Sequence, residues 1–466
     1  MRKALYLCLV FALAGCAIGP DYQRPSVDLP RNWPVVSDGI SSASWRIFND
    51  PVLLELLAEG QHNNLDLALA VARVDEARAL LGRSDSDLYP AVGATVERSR
   101  TRQSQRSAMP LPPGTDPVNS STRAVLSASY ELDLWGKLRR SSEAVRAELL
   151  ASEAARDTVL LTLASDIASG YFALLSLDQQ VAITRRTVAA RNESYKLQKM
   201  RFDAGISSEY ELLQIEAETA TASAQQADLE ARRAQQENAL TVLLGRSPRE
   251  ILSAAINRGT PSTPKAVVVP AGLPSELLLR RPDIVAAEQR LVAANARIGV
   301  ARAGYFPSIS LTGYVGSEST ALSDLFSGPT RVFQFATNLL QPIFNAGRVG
   351  YEVDAANARQ QQALAQYRLA IANAFRDVQD GLVAQRQARL ALDAEQARVN
   401  ALVRAHQLVN LRYRNGTASF LEVLDAERNL LQSEINRADA ERRQRTAIAD
   451  LFKALGGGWD DTQAAQ

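Results

Sequence analysis

The chain is poor in the residue types on which most site chemistry depends. Its 466 residues include two histidines, two cysteines and three methionines. His62 and His406 stand alone, with no Cys/His cluster, P-loop or nucleophile motif beside either. An enzyme is thus the weakest of the functional classes, and each histidine reads as a surface helix residue. No catalytic residue, metal-ligand set or cofactor is therefore expected, and Met109 and Met200 give no support to a copper relay. An excess of one charge is also missing: 52 Lys and Arg offset 51 Asp and Glu, a net charge of +1. With no basic surplus to neutralise phosphates, nucleic acid is not an expected partner. The apolar run Ala4 to Ala14 is too short to span a bilayer and follows the basic pair Arg2-Lys3. That pattern is a signal peptide over residues 1–15. It ends in Leu13-Ala14-Gly15-Cys16, a match to the lipobox, so Cys16 is the expected lipidated first residue of the mature chain and Cys8 is discarded. Ala17 follows, not the aspartate that directs retention in the inner membrane, which favours the outer one. The mature chain would then have no free thiol, in keeping with an oxidising periplasm.

Proline is absent from 118 to 247 and again from 343 to the end. Both stretches are rich in Ala, Gln, Arg, Glu and Leu, all good helix formers. Glycines mark the same positions in each. Gly136, Gly170, Gly205 and Gly245 have partners 211 residues later at Gly347, Gly381, Gly416 and Gly456. Upstream the offset is 217, as in Tyr89-Pro90 and Phe306-Pro307, so a longer loop belongs to the first copy. The chain is thus read as an N-terminal segment 16–63, a first repeat 64–247, a Pro-rich linker 248–274, a second repeat 275–456 and a tail 457–466. Each repeat should hold a helix of about 67 residues, 137–203 or 348–414, roughly 100 Å long at about 1.5 Å per residue. A return helix follows at 208–244 or 419–455. Ser208 and Ser419, each with Glu three residues on, are capping-box patterns just past the turn glycines Gly205 and Gly416.

Before each long helix the apolar period changes from 3.6 to 2. Ala124, Leu126, Ala128, Tyr130 and Leu132 alternate with polar neighbours, as do Ile309, Leu311, Gly313 and Val315. Weaker alternation covers 91–100 and 331–341, with Phe333 and Phe335 flanking Gln334. Half-apolar strands of about ten residues are what a transmembrane barrel needs. Four strands cannot close a useful bore, and an open edge in lipid leaves unpaired backbone groups, so other copies must complete the wall.

The residues Gly19-Pro20-Asp21-Tyr22, Trp45-Arg46-Ile47-Phe48-Asn49-Asp50-Pro51 and Leu273-Pro274-Ser275-Glu276-Leu277-Leu278-Leu279-Arg280-Arg281-Pro282-Asp283 resemble the lipoprotein subfamily of TolC-like outer-membrane factors. The run Ala301-Arg302-Ala303-Gly304-Tyr305-Phe306-Pro307 extends the likeness, which covers nearly the whole mature chain. The resemblance implies a mixed α and β membrane protein: a homotrimer whose twelve-stranded outer-membrane barrel continues as a long periplasmic α-helical barrel. It implies an efflux channel for small toxic molecules, docked to a periplasmic adaptor and an inner-membrane transporter of the resistance–nodulation–division class. Type I protein secretion is the alternative with the same architecture, and a pore-free structural lipoprotein is a further one that the alternating strands oppose. The turns Ala204-Gly205-Ile206 and Asn415-Gly416-Thr417 are the expected adaptor contacts. Past the second turn, the resemblance places an acidic constriction at Glu422 and Asp425, with a hydrophobic ring near Leu421. Three copies of Asp425 around an axis would favour cations, and crowding of like charges would raise carboxylate pKa values. Tyr413 with Glu211 stands where the family closes its tips. Ala418 departs from the basic residue common there, so one ionic lock of the closed state is missing.

Overall fold

A computed structural model describes residues 17–26, 45–104, 106, 111–112, 114–253, 255–262 and 281–457. Cys16 and the lipobox, residues 254 and 263–280 with the C-terminal part of the linker, and the tail from 458 lie outside the described residues. The chain forms two compact units, each drawing on both repeats. One takes in Arg73–Ser152 and Ala287–Tyr367 with the N-terminal stretch to Ser26; the other takes in Val27–Ala72, Glu153–Ala286 and Arg368–Gln466.

In chain order the elements are α1 (Pro51–Asn63), α2 (Leu65–Ser86), β1 (Ala91–Arg102), β2 (Val118–Leu132), α3 (Lys137–Asp203), α4 (Glu209–Leu243), α5 (Pro248–Ser253), α6 (Pro282–Ala303), β3 (Ser308–Ser319), β4 (Arg331–Leu340), α7 (Arg348–Arg414) and α8 (Phe420–Ala454). The helix–hairpin–helix–helix order runs twice, and the lengths agree: 67 residues in α3 and α7, 35 in α4 and α8. Positive φ at Gly136, Gly205 and Gly245 recurs at Gly347, Gly416 and Gly456, so the glycine spacing reflects one backbone plan used twice.

In the first unit the strands form an antiparallel sheet in the order β1-β2-β3-β4, leaving β1 and β4 as edges. Its register brings the alternating apolar residues of all the strands onto one face. Val96, Ala124 and Ser317 are neighbours, as are Ala94, Leu126, Val315 and Phe333, and Val92, Ala128, Gly313 and Phe335. The opposite face is polar, and there Arg123 approaches Glu318 at 4.0 Å and lies over the Tyr314 ring at 4.2 Å. Most of the apolar face is exposed, Phe335 by 85%. A sheet that shows its oily side to solvent is built for another medium. Below the strands, Trp135 stacks on Phe306 at 4.8 Å and its indole N–H donates to the Pro307 carbonyl at 2.8 Å. Buried Ala144 and Ala147 of α3 meet Ala293 and Ala296 of α6, small side chains that let the helices approach closely. The segment 17–26 is strapped to this unit. Ile18 N–H donates to Trp135 O at 3.0 Å, Arg140 pairs with Asp21 at 2.6 Å, and the buried Glu288 accepts from Arg24 and the Tyr22 hydroxyl.

The second unit has an aromatic and aliphatic core. Phe48 packs on Phe172 at 4.7 Å, and Trp45 meets Phe452 edge-on at 5.7 Å, with Ile167, Leu240, Ile448 and Leu451 filling between. Asp50 is 1% exposed and caps α1 by accepting from the Val52 and Leu53 amides, while the Tyr171 hydroxyl donates to its other oxygen at 2.9 Å. Arg258 ties the stretch 255–262 down through Asp178 and Glu237 at 2.9 and 2.6 Å.

Candidate functional site: the helical tips

Both long helices of the second unit end at a left-handed glycine. Gly205 (φ 71°) donates to Phe202 O and Ile206 to Arg201 O, each at 2.8 Å, while Gly416 (φ 72°) donates to Tyr413 O and Thr417 to Arg412 O at 3.0 and 2.9 Å. This doubled pattern is the Schellman close of a helix, and only glycine takes the required φ without strain. A side chain at either glycine would meet open space, and Ile206 is 68% exposed, so both turns are accessible surfaces of the unit. Ala204 and Asn415 precede the glycines and Thr417 returns its hydroxyl to Arg412 O at 3.1 Å.

The two return helices start differently. Ser419 accepts from the Glu422 amide and the Glu422 carboxylate accepts from the Ser419 amide and hydroxyl at 3.0 and 3.1 Å, a complete capping box. At α4, Ser208 accepts from the Glu211 amide at 3.3 Å, but no reciprocal bond from Glu211 forms. The expectation of two boxes thus holds in full for the second copy only. Hydrogen bonds from Ser419 hold the Glu422 carboxyl below the usual carboxylate range, with Arg412 at 3.6 Å adding to the effect. Within one chain this is opposite to the rise expected from crowding of like charges.

Asp425 lies one turn further along α8. Arg428 donates to one of its oxygens at 2.5 Å and Asn429 to the other at 3.1 Å. Arg428 also stands 3.7 Å from Glu218 of α4, and Glu218 in turn holds the buried Arg191 of α3 at 3.2 Å. Asp425 is therefore charge-compensated within its own chain. Arg428 was open to sequence reasoning as a base three residues past Asp425 on one helix face. Leu421 is 51% exposed beside them.

Tyr413 and Glu211 are not brought together. The Tyr413 hydroxyl accepts from Arg201 at 2.5 Å and from Gln198 at 3.0 Å, and its ring packs on Phe420 at 5.6 Å. At the head of α4 Glu211 contributes its backbone amide, bonded to the Ser208 hydroxyl. Phe420, Val423, Leu424 and Ile215 form a small core with Tyr413, so the two hairpins are packed to one another just behind the tips.

Residues 56–246 and 273–457 match the model of the family described as outer membrane efflux protein. The chain belongs to that family. It is 35% identical to the cation efflux system protein CusC of Escherichia coli O6:H1, over 98% of this chain and 99% of that one. It is 35% identical to SilC of Salmonella typhimurium, described as a probable outer membrane lipoprotein, over 98% and 99%. It is also 35% identical to the solvent efflux pump outer membrane protein SrpC of Pseudomonas putida, over 99% of both chains. Among solved structures, the Campylobacter jejuni CmeC outer membrane channel matches with a TM-score of 0.88 at 26% identity, covering 96% of this chain and 97% of that one. The chain is an outer-membrane efflux channel with a TolC-like fold. Its family is one of channels, not of enzymes, and such channels imply an adaptor and an inner-membrane transporter as partners.

Proposed function

We propose that three copies of this chain close one twelve-stranded barrel and pass small toxic molecules outward from a transporter of the resistance–nodulation–division class. The observation that carries this reading is the four-stranded sheet with two free edges, one apolar face and one polar face. In lipid those edges must pair, and pairing β4 of one copy with β1 of the next leaves none open. The named relatives handle cations or solvents, and this chain's cargo belongs to the same broad class of small noxious compounds. The exposed turns at Gly205 and Gly416 offer a trimer six similar adaptor contacts. Deleting the gene should sensitise the host to such compounds and leave protein secretion intact; the converse would favour the secretion reading.

The gate lies at Asp425, with Glu422 and Leu421 beside it. Glu422 is held ionised by its cap, and Asp425 is bridged by Arg428, so the selectivity of the constriction depends on how far Arg428 neutralises it. In planar bilayers, Asp425→Ala should lower cation preference and weaken block by multivalent cations. Unchanged selectivity and block would place the gate elsewhere. The Tyr413–Glu211 bond, absent within one chain, would have to form between copies. Cys16 is the lipid anchor: its neighbours Ala17 and Ile18 sit against Gly136 and Trp135, where β2 gives way to α3. An acyl chain there would enter the membrane beside the barrel wall. Mass spectrometry of the mature N-terminus should show a diacylglyceryl adduct on Cys16, and an unmodified cysteine would reject the anchor.

A further inference from the structure

The apolar face of the sheet ends in a group of arginines. Alternation along β1 puts Val92, Ala94 and Val96 on that face, and the next residues in phase are Arg98, Arg100 and Arg102. On β4 the residue in phase beyond Phe335 and Phe333 is Arg331, which pairs in register with Ser317 of β3. All four arginines are exposed, and among the described residues none has an acidic or hydrogen-bonding partner. The polar face behaves otherwise, since its Arg123 has Glu318 and Tyr314.

Position along the strands gives the arginines a height. The apolar face runs from Leu132 to Ala124 on β2, eight steps of about 3.4 Å, or about 27 Å along the strand. A tilt of about 40° reduces this to about 21 Å, close to the apolar band of about 25 Å on a transmembrane barrel. Thr122 and Arg98, paired with one another, come next. The arginines therefore begin where the hydrocarbon ends, at the loop ends of the strands, away from the helices. Near the interface an outward arginine costs far less than one at the midplane. β1 and β4 are also the two edges of the sheet. On the reading that copies pair β4 to β1, on which this inference rests, Arg331 of one copy joins the arginine row of its neighbour. Four unpaired guanidinium groups at one seam repel one another unless an anion lies among them, and the guanidinium fork suits phosphate oxygens.

We propose that Arg98, Arg100, Arg102 and Arg331 form a seam site for the phosphate groups of anionic lipid in the outer leaflet. The probe is bisphosphorylated lipid A, set against the same lipid with its phosphates removed, each mixed into neutral phosphatidylcholine vesicles holding the full-length channel. Native mass spectrometry of the extracted channel then reads the lipid retained. The wild type should keep the phosphorylated form in preference, and inorganic phosphate alone should not compete at the same concentration. Replacing all four arginines with glutamine should lower retention at least about tenfold, roughly one charge-assisted contact. An Arg→Lys set should keep part of it, and Arg123→Gln on the other face should change nothing. Equal retention of both lipids by the wild type, or undiminished retention by the glutamine variant, would overturn the site. If the glutamine variant did not assemble, the wild-type preference between the two lipids and the lysine set would still decide. The mass of the channel in detergent tests copy-to-copy pairing separately, so failure of that pairing and failure of the lipid site are distinguishable.

Discussion

Tyr413 shows how one side chain can be committed twice. Its ring belongs to the small core behind the tips, and its hydroxyl answers the amide of Gln198, which is 2% exposed, and the guanidinium of Arg201. Tyr413→Phe should keep the packing but strip a buried donor of its acceptor, costing about 1–3 kcal/mol. The expected result is a lower thermal midpoint of the helical part with the barrel unaffected; no change would mean that water replaces the hydroxyl. Glu237 carries a second prediction. Its carboxyl is pulled below the ordinary glutamate value by the hydrogen bond from Arg258, with the Ile256 amide assisting against burial. A depressed folded-state pKa contributes stability above the unfolded value of about 4.3, lost as pH falls through the lower folded one. Glu237→Gln should therefore melt earlier than wild type at neutral pH. The gap should close as pH drops from about 4 downwards. A gap independent of pH would show that the ion pair is not its cause.

Among the elements, the two return helices are a matched pair with one difference. Both are 35 residues long and begin after serine, but only α8 has the reciprocal bond from its glutamate. An N-cap serine is worth about 1 kcal/mol against alanine. Ser419→Ala should expose the first-turn amides of α8 to hydrogen exchange more than Ser208→Ala does those of α4, because it also removes a hydroxyl partner from Glu422. Equal effects would mean that the reciprocal bond adds nothing. Glu422 is thus committed to holding the head of α8.

The whole molecule depends on strands whose backbones must lie close enough to pair. At Gly316 of β3 an added Cβ would lie 2.1 Å from the Ala124 carbonyl oxygen and 2.7 Å from the Val125 Cα. Neither is a flexible side-chain end, so Gly316→Ala must push β2 and β3 apart. On the proposed three-copy barrel, the expected outcome is loss of the assembled channel from the outer membrane, read as loss of the species of about three chain masses in detergent. Retention of that species at wild-type levels would show that the sheet can absorb the displacement.

The long helices, the return helices and the strand phase were legible in the sequence because each rests on a local rule. Proline-free stretches of good helix formers end at glycines that alone tolerate the left-handed turn, and a period of two assigns Leu126, Val315 and Phe333 to one face whatever the neighbours are. The lipobox and the family likeness are equally local in character. The sequence did not disclose that 44% of the most apolar stretch of α3 is buried within the protein. Its Ile167, Tyr171, Phe172 and Leu174 are covered by Phe48, Leu240 and Phe452 from distant parts of the chain. Nor could spacing reveal that Tyr413 answers to Gln198 and Arg201, that Arg428 reaches across from Asp425 to Glu218, or that one capping box is incomplete. Those choices are made among several partners of similar strength, and only the packing of one hairpin on the other decides which lies within about 3 Å. The sequence by itself determined what each segment must be; tertiary structure decided which charges and hydroxyls are spent, because hydrogen bonds and ion pairs fall away over distances that only packing sets.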